Sequence, residues 1–275
     1  MTPRIDTPSH TDQSNDVVGT TSGREPKITN PGGRYHRASL IEPSPSGYVH
    51  IAAQIDPPTR PGPARRTPAR SEALARLSRE RSRLAQQHPD WSVDLFRALG
   101  FPPLDSLPIP ERYRGIAAFY DVVVLIKTTA IAELPSLAED AAYQALLGVL
   151  DQRARSVTIT QARNARRIAD VPSEETLHLF NHFLAEDAGA LDVWDYLAGW
   201  YEQEMRLKNS EVLAPIDPDS TPFAFINHAS WNMTLPRFIA RQLSRPSFRT
   251  FVLANLRDND IGSLPYLYRH LDGAS

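Results

Sequence analysis

The 275-residue chain contains no cysteine. Disulfides, thiolate metal sites, iron–sulfur clusters and cysteine nucleophiles are therefore excluded. This absence is typical of a reducing compartment, and the polar N-terminus has no apolar core of the kind that a secretory signal requires. We therefore predict a cytoplasmic protein.

The chain also lacks an excess of charge and a long uncharged apolar run. Thirty Lys and Arg side chains oppose 32 Asp and Glu, giving a formal net charge of -2, which does not indicate a nucleic-acid-binding or basic membrane-surface protein. The longest apolar run, about Ile116–Leu134, contains Asp121, Lys127 and Glu133, so a buried helix is favoured over a bilayer span. We expect a small-molecule partner, no nucleic acid and no membrane, and leave a homodimer open.

Familiar catalytic and nucleotide-binding motifs are missing as well. The sequence contains neither a GxxxxGK[ST] nor a GxGxxG phosphate-binding loop. It also has no GxSxG nucleophile elbow. These absences argue against a nucleotide-binding enzyme and against a serine hydrolase of that type.

Proline and glycine are concentrated in the first part of the chain. Residues 1–70 hold 11 of the 24 prolines and 6 of the 13 glycines. Such a segment cannot bury enough apolar surface to offset the entropy cost of ordering it, so we predict a disordered tail over residues 1–70. Within it, GYVHIAAQID from Gly47 is less polar and could dock as a short strand or helix.

Helix signals dominate from Ser71 onward. Ser71 is a suitable N-cap before a run of strong helix formers, and Pro172 and Ser173 mark another helix start. The valine run within Ile116–Leu134 could form a strand, but the length of the segment and its lack of breaks favour a central helix. We predict one all-α domain, a helical bundle, over residues 71–275.

The stretch EETLHLFNHFLAED, residues 174–187, carries the most suggestive pattern. On an ideal helix Glu175, His178, His182 and Glu186 form one stripe. Glu-x-x-His is the spacing by which helical bundles present a carboxylate and an imidazole to one metal ion. The Leu and Phe side chains take the opposite face, as on a peripheral helix with a solvated polar face. The stretch therefore predicts either a metal site, with His182 as an outer donor, or a polar surface.

Acidic and imidazole side chains outside that stretch could complete a site. Glu133 ends the most apolar segment, where an unpaired carboxylate is costly, although it could also reach water. His228 lies among aromatic residues and could instead be a core histidine bonded to a backbone carbonyl. Asp258, Asp260 and His270 could be ligands, or they could be loop and helix-capping residues.

The order of these residues resembles the heme-oxygenase-like di-iron oxidases. In that family a Glu on an early helix is followed by Glu-x-x-His on the next major helix, and by later His and Asp ligands. The resemblance covers about residues 110–270 and implies a helical bundle that binds two iron ions and takes dioxygen as cosubstrate. The metal ligands that it implies are Glu133, Glu175, His178, His228, Asp258 or Asp260, and His270.

This resemblance implies a non-heme iron-dependent oxidase or oxygenase acting on a small molecule. Hydroxylation, desaturation, and oxidative cyclisation or cleavage are the reactions it suggests. An amino acid or another small acid would suit Lys127 as its carboxylate partner, although Lys127 could also pair with a buried carboxylate. Two alternatives stay open: a non-catalytic helical interaction or regulatory protein, and a metal-free helical lyase or cyclase with His228 as base.

Overall fold

A computed structural model describes residues 25–57, 60–64, 66–116, 118–186 and 189–271. The strands in these ranges are Gly47–Gln54 (β1), Gly62–Pro63 (β2), Ser92–Phe101 (β3), Val122–Lys127 (β4), Ser156–Ala169 (β5), Leu177–Leu184 (β6), Ser210–Pro215 (β7), Phe225–Trp231 (β8) and Gly262–His270 (β9). The α-helices are Pro68–Gln87 (α1), Ala141–Arg153 (α2), Ala190–Met205 (α3), Leu235–Leu243 (α4) and Ala254–Asp258 (α5). A π-helix, Phe248–Leu253, leads directly into α5. Short 3-10 helices occupy Pro31–Gly33, Leu104–Ser106, Glu111–Ile116, Ile131–Glu139 and Pro218–Ser220.

Eight of these strands form a closed antiparallel barrel. Their order is β3-β4-β1-β5-β7-β8-β6-β9, and β9 pairs back with β3. β2 extends the sheet beside the end of β3, where Gly62 lies opposite Phe101. Closure pairs both outer strands of the sheet, which removes the exposed edges that an open sheet would present.

The barrel is built from two halves with the same connectivity. β1, α1, β3, β4, α2 and β5 form the first half, and β6, α3, β7, β8, the helical segment 235–258 and β9 form the second. In each half, the strands taken in chain order as one to four lie in the order four-one-three-two. The pairs β5–β7 and β3–β9 join the halves.

Three hydrophobic clusters follow from this arrangement. Aromatic and aliphatic side chains such as Tyr48, Phe96 and Tyr268 fill the barrel interior. A second cluster lies between the first half's sheet and helices α1 and α2. The third lies between the second half's sheet and the helices of that half, with Trp194, Trp200 and Phe251 among its members.

The prediction of an all-α bundle with a central helix over Ile116–Leu134 is wrong. Val122–Lys127 forms β4, which pairs with β1 on one side and β3 on the other. A strand buried on both faces reads as a continuous apolar run, so its period does not distinguish it from a buried helix. The β-branched run VVV favours a strand because branched side chains pack well on a pleated surface.

The predicted tail over residues 1–70 falls partly outside the described residues, which begin at Glu25. From Gly47 the chain forms β1, a central strand between β4 and β5 whose side chains are almost entirely buried. The boundary predicted at residue 70 lies inside α1. Among the helices of the described residues, none is long and apolar enough to cross a membrane.

Candidate functional site

A cavity of about 560 Å³ lies on the outer face of the second half. β6, β8 and β9 form its floor, and α3, α4 and the π-helix cover it. Its walls are mostly apolar, with Leu179, Phe183, Leu197, Phe238 and Val252 among the lining residues. Concave, largely apolar cavities with a few convergent polar groups are the usual form of small-molecule sites.

Strand alternation places two asparagines on the floor of this cavity. Successive side chains in a strand point to opposite faces, so Asn181 of β6 shares the outer face with Leu179 and Phe183. Asn181 lies directly opposite Asn227 of β8 in the antiparallel register. Both asparagines line the cavity, although their neighbours on this face are predominantly apolar.

The two amides differ in how completely they are hydrogen-bonded. The Oδ1 atom of Asn227 accepts from Trp194 Nε1 at 2.5 Å, and its Nδ2 atom donates to Ser210 Oγ at 3.0 Å. The Oδ1 atom of Asn181 accepts from Ser263 Oγ at 2.9 Å. Within the described residues, the Nδ2 group of Asn181 has no hydrogen-bond acceptor. Asn227 is therefore held in place, whereas Asn181 retains a donor for a ligand.

Two further lining residues keep unpaired polar atoms. Trp231 of β8 has a buried Nε1–H without an acceptor, and Gln242 of α4 has a buried Oε1 without a donor, within the part of the chain that the structure describes. Buried polar groups are nearly always hydrogen-bonded, and leaving one unpaired costs about 1–3 kcal/mol. Unpaired donors and an acceptor around one apolar cavity indicate a ligand that carries oxygen substituents on an apolar body.

The chain shares its fold with known structures. It aligns with an anthrone oxidase-like protein at a TM-score of 0.55 and 12% identity, over 86% of this chain and 98% of that one. It aligns with a Fusobacterium nucleatum protein of proposed monooxygenase function at a TM-score of 0.50 and 8% identity, over 84% and 94%. A heme-binding protein from Thermus thermophilus aligns at a TM-score of 0.45 and 8% identity, over 87% and 96%. At these identities the likeness concerns the fold.

No protein-family model matches the chain, and no curated protein matches it in sequence. The fold shared with the two better-aligned neighbours is a closed antiparallel barrel of eight strands flanked by helices. The resemblance to heme-oxygenase-like di-iron oxidases is therefore wrong, because that family is a helical bundle and this chain folds as a closed barrel.

The histidines of EETLHLFNHFLAED lie inside the barrel rather than on a helix. Within this stretch Leu177–Leu184 forms β6, so His178 and His182 face the interior and are fully buried. His178 meets His228 of β8, with Nδ1 and Nε2 3.2 Å apart. The Nε2 atom of His178 also lies 3.1 Å from the carbonyl oxygen of Glu175. Since a carbonyl only accepts, neutral His178 donates through Nε2, and His228 donates through Nε2 to its Nδ1 atom.

Burial controls the ionisation of these rings. Desolvation lowers the pKa of His178 and of His182 to about 4. It also lowers the pKa of His50 and of His228 well below the usual range. Both ring nitrogens of His50 and of His182 lack a hydrogen-bond partner among the described residues. Aromatic rings pack around them instead, with the centroids of His182 and Phe223 4.7 Å apart.

Three of the acidic candidates, Glu133, Asp258 and Asp260, have their contacts away from this histidine cluster, whereas Glu175 meets His178 through its backbone carbonyl. Glu133 lies in the first turn of the 3-10 helix Ile131–Glu139, where it accepts hydrogen bonds from Thr129 and from Trp91 Nε1. Asp258 ends α5 and Asp260 follows it, and both are exposed. Asp258 accepts from Thr29, and Asp260 pairs with Arg112. Glu175 is half-buried just before β6.

The prediction of two bound iron ions is wrong for the same structural reason. Of the seven candidate ligands, the barrel brings together His178 and His228, with the His270 ring centroid 6.1 Å from that of His178. His270 itself pairs with Asp94, at 2.8 Å. No cluster of three or more His, Asp or Glu side chains in the described ranges could hold a metal ion.

Lys127, proposed as a substrate-binding residue, ends β4 near the barrel interior. Its Nζ atom lies 3.0 Å from Glu211 Oε1, and the same carboxylate accepts from Tyr48 at 3.1 Å. Glu211 is buried, so this ion pair satisfies a charge that would otherwise be costly. These contacts give Lys127 a structural role, and it does not line the cavity.

The cavity residues were missed because the sequence was interpreted with a helical period. With period two, LHLFNHFL gives Leu177, Leu179, Asn181 and Phe183 on one face. FINHASW likewise gives Phe225, Asn227, Ala229 and Trp231. On each of these two faces one asparagine lies among apolar residues, and that asparagine was the signal in the sequence for a polar group in an apolar cavity.

Proposed function

We propose that this chain is an oxidase or oxygenase that binds an apolar, ring-containing small molecule with oxygen substituents. The observation that carries the proposal is the cavity, whose apolar wall holds the unpaired Asn181 and Trp231 donors and the unpaired Gln242 acceptor. Support for the reaction class comes from the shared fold, because the two better-aligned neighbours carry oxidase and monooxygenase descriptions.

The hydrogen-bond donors of the cavity wall indicate which reaction the site could support. A ring compound whose acidic methylene is conjugated with a carbonyl can lose a proton to give an electron-rich enolate, which reduces dioxygen. The balanced reaction is R₂CH₂ + O₂ → R₂C=O + H₂O. Asn181 Nδ2–H is a donor that would stabilise the enolate oxygen, and Trp231 Nε1–H, four residues from Asn227 along β8, would donate to a second oxygen substituent. Such donors in an apolar site contribute strongly.

The residues of the cavity wall also determine how acidic the substrate must be. Among the described lining residues, no carboxylate or imidazole is present to act as a base. Arg249 is exposed, and burial raises the pKa of Tyr201. The substrate must therefore be acidic enough to ionise with water or hydroxide as the proton acceptor. Keto-substituted or phenolic polycyclic rings have this property and match the shape of an apolar cavity.

The same wall does not provide the ligand that a heme group needs. A heme iron takes an axial ligand from His, Cys, Met or Tyr. The described lining contains Tyr201 but no His, Cys or Met, and burial opposes ionisation of Tyr201. His178, His182 and His228 lie on the other face of the sheet, inside the barrel. The residues present do not fit an axially ligated heme.

Anthrone is a suitable probe, because it is tricyclic and has an acidic methylene opposite a carbonyl. We expect the wild-type protein to bind anthrone and to consume one dioxygen per anthraquinone formed. Asn181→Leu preserves side-chain size and removes the free donor, so Kd is expected to rise roughly tenfold and kcat to fall at least as much. Binding calorimetry and oxygen uptake would measure the two effects.

Asn232→Leu is the matched control for this variant. Asn232 follows β8, is exposed and pairs with Thr176, away from the cavity wall. Its variant is expected to keep wild-type affinity and oxygen uptake. Wild-type rates in Asn181→Leu, or the absence of both binding and oxygen uptake in the wild-type protein, would refute the proposed function.

A further inference from the structure

Helix α4 carries an exposed apolar ridge at the edge of the cavity. Phe238 faces the core, while Pro236, Ile239, Ala240 and Leu243 are exposed. On a helix of 3.6 residues per turn these four side chains occupy one continuous sector of roughly 100°. Leu243 is 56% exposed, the largest value among the large apolar side chains of the described surface, and Ile239 is 43% exposed.

Arginines flank this ridge. Arg237 and Arg241 lie on α4, and Arg245 and Arg249 continue the same four-residue spacing into the π-helix. Burial lowers the pKa of Arg241, and the positive charges of Arg206, Arg245 and Arg237 lower it further, so these guanidinium groups lie close together.

In the part of the chain that the structure describes, one carboxylate pairs with the arginine group. Glu204 pairs with Arg245 at 3.3 Å and with Arg34 at 2.9 Å, and its backbone oxygen accepts from Arg241. A single carboxylate cannot neutralise several guanidinium groups, so this side of the molecule is locally positive. The chain as a whole carries a formal net charge of -2.

We infer that the α4 ridge docks on an anionic lipid surface. An amphipathic helix with exposed aliphatic residues and flanking arginines is the arrangement that binds the interface of anionic membranes. The expectation of no membrane partner rested on the net charge of the whole chain, which does not reveal this local distribution. The attraction combines burial of Ile239 and Leu243 among acyl chains with pairing of the arginines to lipid headgroups.

The ridge lies where the cavity meets the surface of the molecule. Ile239 and Leu243 line the cavity as well as the surface, so the cavity reaches the exterior beside the docking face. An apolar ligand could then pass between lipid and cavity without crossing water. That use rests on the proposed function, whereas the docking itself does not.

Co-sedimentation of the full chain with vesicles tests the docking. We expect binding to vesicles that contain phosphatidylglycerol, little binding to pure phosphatidylcholine, and weakening by salt. The double variant Arg237→Gln/Arg245→Gln is expected to bind roughly twentyfold more weakly. The double variant Ile239→Ser/Leu243→Ser is expected to lose at least about tenfold.

Arg79→Gln/Ile216→Ser is the control, because it removes one exposed arginine of α1 and one exposed isoleucine that follows β7, and neither residue belongs to α4. It is expected to bind like the wild type. Equal binding by all variants, or no binding to phosphatidylglycerol vesicles, would overturn the inference. So would a concentration-dependent dimer that the Ile239→Ser/Leu243→Ser variant abolishes without any vesicle binding, since the ridge would then join two copies. Anthrone binding is measured without vesicles, so failure of one proposal is distinguishable from failure of the other.

Discussion

Replacing Gly199 with alanine is expected to lower the free energy of unfolding by more than about 3 kcal/mol. Gly199 lies in α3, beneath the segment that contains His36 and Ala38. A Cβ atom at Gly199 would lie 1.9 Å from the carbonyl oxygen of His36. The segment cannot easily move away, because Ala38 N donates to Asp195 O at 2.8 Å and Tyr35 packs on Phe251. Chemical denaturation at neutral pH would measure the loss.

Gly148→Ala is the control for the helical substitution itself. Gly148 lies within α2, and a Cβ atom there would meet nothing within 4 Å. Alanine is expected to stabilise that helix by about 0.5–1 kcal/mol, because it restricts the unfolded chain and favours the helix. If both variants gained stability, the close approach of the His36 segment to α3 would be disproved.

Acidification from pH 6.5 to pH 4 is expected to destabilise the barrel steeply. His178 and His182 have folded pKa values of about 4, against about 6.5 in an unfolded chain. The unfolded chain therefore binds more protons within this window, so stability falls as the pH falls. The contribution is fully present above about pH 6.5, decreases by about 1.4 kcal/mol per pH unit per histidine, and is lost below about pH 4. Each of the two histidines therefore accounts for a loss of roughly 3 kcal/mol in the free energy of unfolding over this pH range.

His182→Phe isolates one of these contributions from those of the carboxylates. The ring of His182 lies among Phe223, Tyr120 and His50, with centroid distances from 4.7 to 5.4 Å, so a phenyl ring is compatible with the site. The stability difference between variant and wild type is expected to grow by roughly 3 kcal/mol from pH 6.5 to pH 4.

Urea unfolding of the wild type and of His182→Phe at several pH values would give this difference. A constant difference for His182→Phe would mean that its imidazole titrates normally in the folded chain.

Some features of the fold could be predicted from the sequence, and the reason for the main error is specific. Gly47–Gln54 stood out as a less polar segment of a Pro-rich region, and it forms a central strand. The error concerned Val122–Lys127 and Leu177–Leu184, both buried on two faces. When both faces are buried, the loss of polar–apolar alternation removes the signal that identifies a strand.

The site was harder to predict than the strands. Asn181 and Asn227 become neighbours through a strand register that joins residues 46 positions apart, and no local pattern specifies that pairing. His178 and His228 illustrate the opposite case. The sequence predicted both imidazoles as metal ligands. In the barrel each ring has aromatic neighbours instead, and none of the carboxylates predicted as metal ligands completes a metal site with them. Alternation along β6 decides which of its side chains reach the cavity and which reach the interior.

The pairing of β3 with β9 determines when the barrel can close during folding. Phe96 pairs with His270, and Gly100 with Leu267, so the barrel closes through residues that lie far apart in the described chain. The entropy cost of such long loops must be met before the contacts form, which makes closure a late and slow step. Among the described strands, β9 is the last to leave the ribosome during synthesis. Until then β3 and β6 each keep an unpaired edge, and these are the surfaces a chaperone would have to shield.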